Sequence, residues 1–268
     1  MALPTISVKL IGRWAVIIPY PNFTIRIIIT AHPTSVPLLS SLFPIPCSLL
    51  PAPYSLIVNQ AMVTAIPANQ ITLYDLRIKF GLERTDDEQF FREWQDDLPE
   101  LTELEKKELN EIKKDYLHLS ERPMVETIVK MVVLSPLLKL AGFYRPPFYL
   151  TAEKVVEITS EDQETIITGR LDLLIYTPEF WVLVIEAKRA DYSLEVGIPQ
   201  ALSYMLGNLE SERPAFGFIT NGPDFIFLKL NKDNTPKYGD SDSFSLRNKT
   251  GLEQVLKILK RFNQLLRQ

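Results

Sequence analysis

One short stretch of the chain combines an apolar β-strand pattern with a group of charged residues. Trp181 to Ile185 is almost continuously apolar, which is typical of a central strand that is covered on both faces. The run ends in Glu186-Ala187-Lys188. Because side chains alternate along a strand, Glu186 and Lys188 are expected on one side and Ala187 on the other. Charged groups are therefore expected at the edge of a hydrophobic sheet.

The segment before this run supplies a further carboxylate. Leu171 to Tyr176 has the pattern of a partner strand, and residues 177–180 form the expected turn. If the two strands pair, Asp172 lies beside Glu186. Carboxylate oxygens bind hard divalent cations such as Mg²⁺, and a nearby lysine can orient or deprotonate a metal-bound water. The alternative interpretation is that these charges are only strand ends that meet solvent.

A second pair of residues lies just downstream. Gln200 and Tyr204 are four residues apart, which places them on one face of the next predicted helix. Together, Asp172, Glu186-x-Lys188 and Gln200-x-x-x-Tyr204 resemble the PD-(D/E)XK nuclease superfamily. Residues 62–268 are more specifically similar to small cyanobacterial proteins labelled restriction endonuclease subunit R, which resemble the nuclease domain of type I restriction subunits. The phrases that carry this closer resemblance are Leu134-Ser-Pro-Leu-Leu138, Ala141-Gly-Phe-Tyr144 and Thr220-Asn-Gly222.

The resemblance implies a fold, an activity and a set of site residues. The implied fold is an α/β (α+β) restriction-endonuclease-like αβββαβ core over residues 123–268, with a mixed central sheet flanked by helices and a helical N-terminal cap over residues 62–122. The implied activity is Mg²⁺-dependent hydrolysis of DNA, with Mn²⁺ as a substitute. The implied metal ligands are Asp172, Glu186, the carbonyl of Ala187 and Glu126.

The remaining roles also come from the resemblance. Lys188 would position or activate the attacking water, and Gln200 and Tyr204 would orient the substrate backbone or the catalytic lysine. For Glu126 an equally acceptable interpretation is a surface ion pair with Lys130, one helical turn away.

Composition disfavours several other classes of functional site. The single cysteine, Cys47, excludes an intramolecular disulfide and fits a reducing, cytoplasmic location. With only His32 and His118, a histidine-based zinc site or a Ser-His-Asp triad is not expected, and we find neither a P-loop nor a Gly-rich dinucleotide motif. The net charge of −4 is not typical of a protein that coats nucleic acid. The expected partners are DNA and a second copy of the chain in a homodimer. No association with a membrane is expected.

Residues 1–61 differ in composition from the rest. They contain no Asp or Glu, and nine of the twenty prolines fall among them. A membrane anchor is disfavoured because no apolar run reaches the roughly 18 residues that a spanning helix needs. A folded addition is disfavoured because proline breaks helices and removes strand donors. We favour a non-native or disordered extension, with the working protein starting at Met62.

Periodicity and turn residues predict the order of elements after Met62, with no second domain. The predicted helices cover 73–80, 86–94, about 102–119, 123–142 with a restart at Ser135-Pro136, about 199–209, and 250 to the end. The predicted strands cover 148–159, 165–176, the run into Glu186, 214–220 and 224–230, with residues 231–242 as a loop. Capping boxes are expected at Thr102/Glu105 and Thr250/Glu253.

A second function is compatible with the same residues. The chain could retain the nuclease fold without turnover and act as a nucleic-acid-binding or assembly subunit. A third, structural role would leave the carboxylates merely solvated. Divalent-metal binding that depends on Asp172 and Glu186 would distinguish the nuclease from the other two.

Overall fold

The computed structural model describes residues 64–160, 165–178, 181–189, 192–207, 213–232 and 235–267. Several predictions lie wholly or partly outside these residues: the extension over 1–61, the start of the cap at 62–63, the end of the turn at 177–180, the end of the helix at about 199–209 and part of the loop at 231–242. No helix in the described part of the chain is both long enough and apolar enough to cross a membrane.

Six α-helices lie within these ranges: α1 Leu73–Phe80, α2 Glu103–Leu119, α3 Glu126–Val129, α4 Ser135–Leu140, α5 Gly197–Leu206 and α6 Gly251–Leu265. The capping box predicted for α2 is confirmed, because Thr102 and Glu105 exchange side-chain-to-backbone hydrogen bonds. The capping box predicted at Thr250 is wrong, since that residue makes no side-chain cap.

The segment from Glu126 to Leu140 is one continuous helical run with an irregular centre. A π-helical turn, Lys130–Leu134, joins α3 to α4. The predicted restart at Ser135-Pro136 coincides with the start of α4. Ser135 does not cap it, because its backbone is helical and its N–H donates to the Lys130 carbonyl five residues back. The Ser135 hydroxyl instead lies 2.8 Å from the Tyr144 hydroxyl.

The predicted helix over 86–94 is also wrong, since these residues form turns. The Thr85 hydroxyl accepts from the Asp87 N–H and the Asp87 carboxylate accepts from the Gln89 N–H. Such local side-chain bonds compete with helix formation. The aromatic residues there still belong to the core, because Phe91 is buried and Phe90 and Trp94 pack against it.

Eleven strands form two sheets in the described residues: β1 Thr64–Pro67, β2 Glu83–Arg84, β3 Tyr149–Ala152, β4 Val155–Thr159, β5 Thr165–Arg170, β6 Leu173–Tyr176, β7 Trp181–Ala187, β8 Ala215–Thr220, β9 Asp224–Asn231, β10 Lys237–Asp240 and β11 Phe244–Ser245. The main sheet has eight strands in the order β2-β10-β9-β8-β7-β6-β3, with β11 also paired to β9. It is mixed, since β7 and β8 are parallel whereas β6 and β9 pair antiparallel to them. The small sheet has the order β1-β5-β4. The strand β10 was missed by the loop prediction for 231–242.

Two long strands predicted from sequence are each divided between the two sheets. The predicted strand 148–159 is β3 in the main sheet and β4 in the small one, and 165–176 divides in the same way into β5 and β6. Both break at the same level, where the Leu171 N–H donates to the Lys154 carbonyl and the Glu153 N–H to the Asp172 carbonyl. Glu153 has a φ of +53°. We call this pair of bent strands, β3–β4 with β5–β6, the bent ribbon.

The main sheet is covered on both faces. On one face, β-strand side chains such as Ile185 and Phe218 pack with α2, α4 and α6, and an apolar stripe of α6 that includes Val255 is buried there. On the other face, Val184 and Ile219 pack with α5 and with the small sheet. The predicted α/β fold with a mixed central sheet flanked by helices is therefore confirmed.

Candidate active site

The strand β7 positions the first carboxylate of the candidate site. Leu183 and Ile185 face one core of the main sheet, whereas Val184 faces the core that contains α5. By alternation Glu186 shares the α5 side, and it is 2% exposed. A glutamate at the buried end of a central strand is thus held in place by two layers of packing.

The bend of the ribbon positions the second carboxylate. Asp172 lies between β5 and β6, outside the ladder pairing of either sheet. Its Oδ2 accepts a hydrogen bond of 2.8 Å from the Ala187 N–H. Asp172 therefore lies beside the end of β7. This is the position expected from the pairing of β6 with β7.

The lysine of the Glu-Ala-Lys sequence lies between a carboxylate and the following helix. Its Nζ is 2.7 Å from Glu186 Oε1 and 2.7 Å from Gln200 Oε1. The Lys188 backbone N–H donates to the Thr220 carbonyl of the neighbouring strand β8. Both ends of this residue are thereby fixed, and the ammonium remains partly exposed at 16%.

The helix α5 continues this hydrogen-bonded chain. The Gln200 amide nitrogen donates to the Tyr204 hydroxyl at 3.1 Å, and that hydroxyl donates to the Arg170 carbonyl at 3.1 Å. Gly169 makes the approach of Tyr204 possible, since a Cβ there would lie 2.5 Å from the Tyr204 hydroxyl oxygen. The spacing of four residues indicated that Gln200 and Tyr204 share a face, but not that Tyr204 is bound to the bent ribbon.

Glu126 and Lys130 lie at the same site. The Lys130 ammonium is 2.5 Å from Glu126 Oε1 and 2.8 Å from Asp172 Oδ1. The ion pair considered for Glu126 is thus present, and it is also attached to the site through Asp172. Lys130 was not predicted as a site residue; its only sequence signal is the spacing of four from Glu126.

The electrostatics of the site reflect an excess of buried carboxylate. Burial, and then the nearby Asp172 charge, raise the pKa of Glu186 to about 8, although Lys188 acts in the opposite direction. Burial raises the pKa of Tyr204 to about 12. Burial would lower the pKa of Lys130, but its hydrogen bonds to Asp172 and Glu126 outweigh this and raise that pKa. The site therefore favours added positive charge.

Part of the geometry fits a divalent cation and part of it does not. Glu186 Oε2 is buried and makes no hydrogen bond to any described residue. Glu186 is also close enough to Asp172 for that charge to raise its pKa, and paired carboxylate oxygens suit Mg²⁺. However, no group of three acidic, histidine or cysteine side chains within the described ranges is arranged to hold a metal. Instead, the two lysines are paired with Asp172, Glu126 and one oxygen of Glu186.

Comparison with known proteins gives the family. Residues 79–235, more than half of the chain, match the family described as type I restriction enzyme R protein N terminus (HSDR_N). The chain belongs to this family. The HSDR_N match contains all of the site residues described above. It confirms the resemblance to type I restriction subunits, whereas the wider PD-(D/E)XK resemblance and the similarity to cyanobacterial proteins stay predictions.

A solved structure is also similar. It is a fragment described as an HsdR subunit of a type I restriction enzyme from Vibrio vulnificus YJ016, 21% identical, with a TM-score of 0.32. The match covers 53% of this chain and 26% of that one, so the chain spans about a quarter of the length of that structure. No curated protein matches the chain.

Proposed function

We propose that this chain is a metal-dependent nuclease domain that hydrolyses phosphodiester bonds in DNA. The observation that carries the proposal is the position of the Lys188 ammonium. It is 2.7 Å from both Glu186 and Gln200, next to the end of β7 to which Asp172 is hydrogen-bonded. A partly exposed lysine held by one buried carboxylate and one glutamine amide is suited to orienting a nucleophilic water. Membership of the HSDR_N family supports the same activity.

Each residue then has a defined role. Asp172 and Glu186, with Glu126 and the Ala187 carbonyl, would hold Mg²⁺ or Mn²⁺. When bound, that ion would lower the pKa of a water molecule and stabilise charge on the phosphate.

The remaining residues act through Lys188. This residue would orient the attacking water and stabilise the negative charge that develops on the phosphate. Gln200, itself bound to Tyr204, would keep the ammonium in place when Glu186 turns toward the metal.

The burial of Glu186 supports a functional role over a merely solvated carboxylate. A carboxylate that is 2% exposed and has an unpaired oxygen destabilises the metal-free fold. A bound cation would reduce this cost.

DNA cleavage is the direct test. Supercoiled, linear and single-stranded DNA would be incubated with the protein in Mg²⁺ or Mn²⁺, beside the Asp172→Ala and Lys188→Ala variants. We expect metal-dependent cutting by the wild type and a loss of about 10²-fold or more in each variant. The Lys139→Ala variant is the matched control, because this exposed lysine lies on α4 and forms none of the ion pairs described for the site.

Absence of cutting from a folded, metal-replete protein would overturn the proposal. It would favour the second candidate, a nucleic-acid-binding or assembly subunit without turnover. The specific observation in its favour is the family match, since the family is named for one part of a larger enzyme subunit. A homodimer stays a prediction, and sedimentation of the protein with and without DNA would test it.

A further inference from the structure

Lys130 holds an unusual position among the charged groups of the site. Its ammonium contacts two carboxylates that come from different parts of the chain, Glu126 at the start of α3 and Asp172 at the bend of the ribbon. The side chains of Lys130, Glu126 and Asp172 are 27%, 37% and 16% exposed. The contact with Asp172 spans 42 residues of sequence, so it is a tertiary ion pair and not a local helical one.

The backbone around Lys130 departs from regular helix at this residue. The π-helical turn begins at Lys130, whose carbonyl accepts the hydrogen bond from the Ser135 N–H. Such a turn inserts one extra residue and changes the rotation of the helix before it relative to the helix after it. The helix after it is fixed by the fully buried Leu137 and Leu138. The turn is thus placed where it affects the direction of Glu126 and Lys130.

A count of charges shows what Lys130 does there. The site has three carboxylates, Glu126, Asp172 and Glu186, and two ammonium groups. Lys188 is bound to Glu186 and Gln200. Lys130 is therefore the ammonium that pairs with both Asp172 and Glu126, and it contacts the oxygen of Asp172 that is not held by the backbone N–H at the end of β7.

We propose that the Lys130 ammonium is a built-in counterion that occupies the ligands of the divalent cation and must be displaced from Asp172 and Glu126 when that cation binds. This inference rests on the proposed function, because it takes the two carboxylates as metal ligands. The displaced ammonium opposes binding, so Lys130 lowers the metal affinity of the site. In return it keeps the carboxylates together before the metal arrives and reduces their mutual repulsion.

The test compares metal binding by the full chain and its Lys130→Met variant in the absence of DNA. Titration calorimetry with Mn²⁺ alone would give the dissociation constant. We expect the variant to bind Mn²⁺ about 5- to 30-fold more tightly, since two competing ion pairs are removed. Without metal, we expect its melting temperature to fall by about 2–4 °C, and saturating Mn²⁺ should restore it.

Two further variants exclude simpler explanations. Lys130→Arg retains a cation that can bind both carboxylates, so its Mn²⁺ affinity should stay near that of the wild type. Lys139→Met removes the same charge from the same helical run at an exposed position and should change neither quantity. If Lys130→Met does not fold, Lys130→Gln replaces it, because glutamine can hydrogen-bond the carboxylates without competing as a cation.

The outcomes separate this inference from the proposed function. Unchanged or weaker Mn²⁺ binding by the Lys130→Met and Lys130→Gln variants would overturn the counterion, and DNA cleavage by the wild type would still establish the nuclease. Tighter binding by Lys130→Met without cleavage of DNA by the wild type would support the counterion and overturn the nuclease. If neither the wild type nor the variant bound Mn²⁺, the counterion would also be wrong.

Discussion

Two carboxylate–ammonium pairs lie on opposite faces of the main sheet, one with a partly buried carboxylate and one with a fully buried carboxylate, and they differ in what surrounds them. The pair Glu93–Lys229 has a contact of 2.5 Å, and Lys229 also donates to the Phe90 carbonyl and lies 5.3 Å from the centre of the Phe90 ring. The pair Glu186–Lys188 has a similar contact of 2.7 Å. In both pairs one carboxylate oxygen is buried without a hydrogen bond to any described residue. An unpaired oxygen therefore does not by itself identify a metal site.

The two pairs differ in the groups that surround them. Lys229 is surrounded by a carbonyl and an aromatic face, so one carboxylate meets one ammonium and the charge is balanced. At the candidate active site, Glu186 is also close enough to Asp172 for that charge to raise its pKa. When all three carboxylates are ionised, one negative charge remains after both lysines are counted. A balanced pair stabilises a fold, whereas an unbalanced cluster favours the binding of a further cation.

Replacing the lysine should mainly reduce DNA cleavage in one pair and mainly reduce stability in the other. Lys188→Met should reduce DNA cleavage by about 10²- to 10⁴-fold, because the water is no longer oriented. Lys229→Met should leave the turnover of the folded protein unchanged but destabilise it by about 3 kcal/mol, since Glu93 is left buried without its partner. Cleavage assays and urea unfolding of both variants would measure this. Loss of cleavage in a folded Lys229→Met protein would remove the distinction between the two pairs.

The unbalanced cluster should also make metal-free stability depend on pH. The pKa of Glu186 is raised to about 8 in the folded protein, against about 4.3 when unfolded. The stabilisation from protonated Glu186 is therefore complete below about pH 4.3 and is lost as pH rises to about 8.

We expect the free energy of unfolding in EDTA to fall by roughly 2–4 kcal/mol between about pH 5.5 and about pH 8.5 through this group. The Glu186→Gln substitution should flatten that fall, because the amide does not ionise. Urea titrations at several pH values would measure both proteins. An equally steep decline in the Glu186→Gln variant would show that another group is responsible.

A smaller effect should follow from crowding at two glycines. A Cβ at Gly169 would meet the Tyr204 hydroxyl and Ala68 at 2.5 Å, whereas a Cβ at Gly217 would meet Met205 Sδ at 2.8 Å in the core. Both alanine variants should lose about 1–3 kcal/mol of stability. Only Gly169→Ala should also reduce cleavage, by about 10-fold, since it displaces the tyrosine that supports the glutamine and lysine of the site.

Comparison of the two variants at matched stability provides the control for this effect. A Gly217→Ala protein that lost as much cleavage as Gly169→Ala would show that the activity follows general stability and not the position of Tyr204. Differential scanning calorimetry beside the cleavage assay would supply both quantities.

Patterns that are local in sequence predicted most of the elements. The apolar run of β7 and the cap of α2 both depend on nearest neighbours and are present as expected. The bend of the ribbon was not predictable, because Glu153 adopts a left-handed backbone that its residue type does not favour. The strand β10 was missed because its partners, β2 and β9, are set by tertiary pairing.

The same division applies to the candidate site. Short spacings located five residues, which the structure brings together: Asp172, Glu186, Lys188, Gln200 and Tyr204. The sequence did not indicate Lys130 as a site residue, because the π-helical turn and the partner 42 residues away leave no periodic signal. Hydrophobic periodicity reports which face of an element is buried, but it does not report which distant charge a long side chain reaches.

The bent ribbon has a mechanical consequence for Asp172. Both of its strands change sheets at one level, so this level is the joint between the small sheet and the main sheet. If one sheet tilts relative to the other, displacement increases with distance from the joint and is smallest at the joint itself. Asp172 lies at this joint, next to the hydrogen bonds that link Glu153 and Lys154 to the opposite strand. Thermal tilting of the small sheet would therefore leave Asp172 almost stationary.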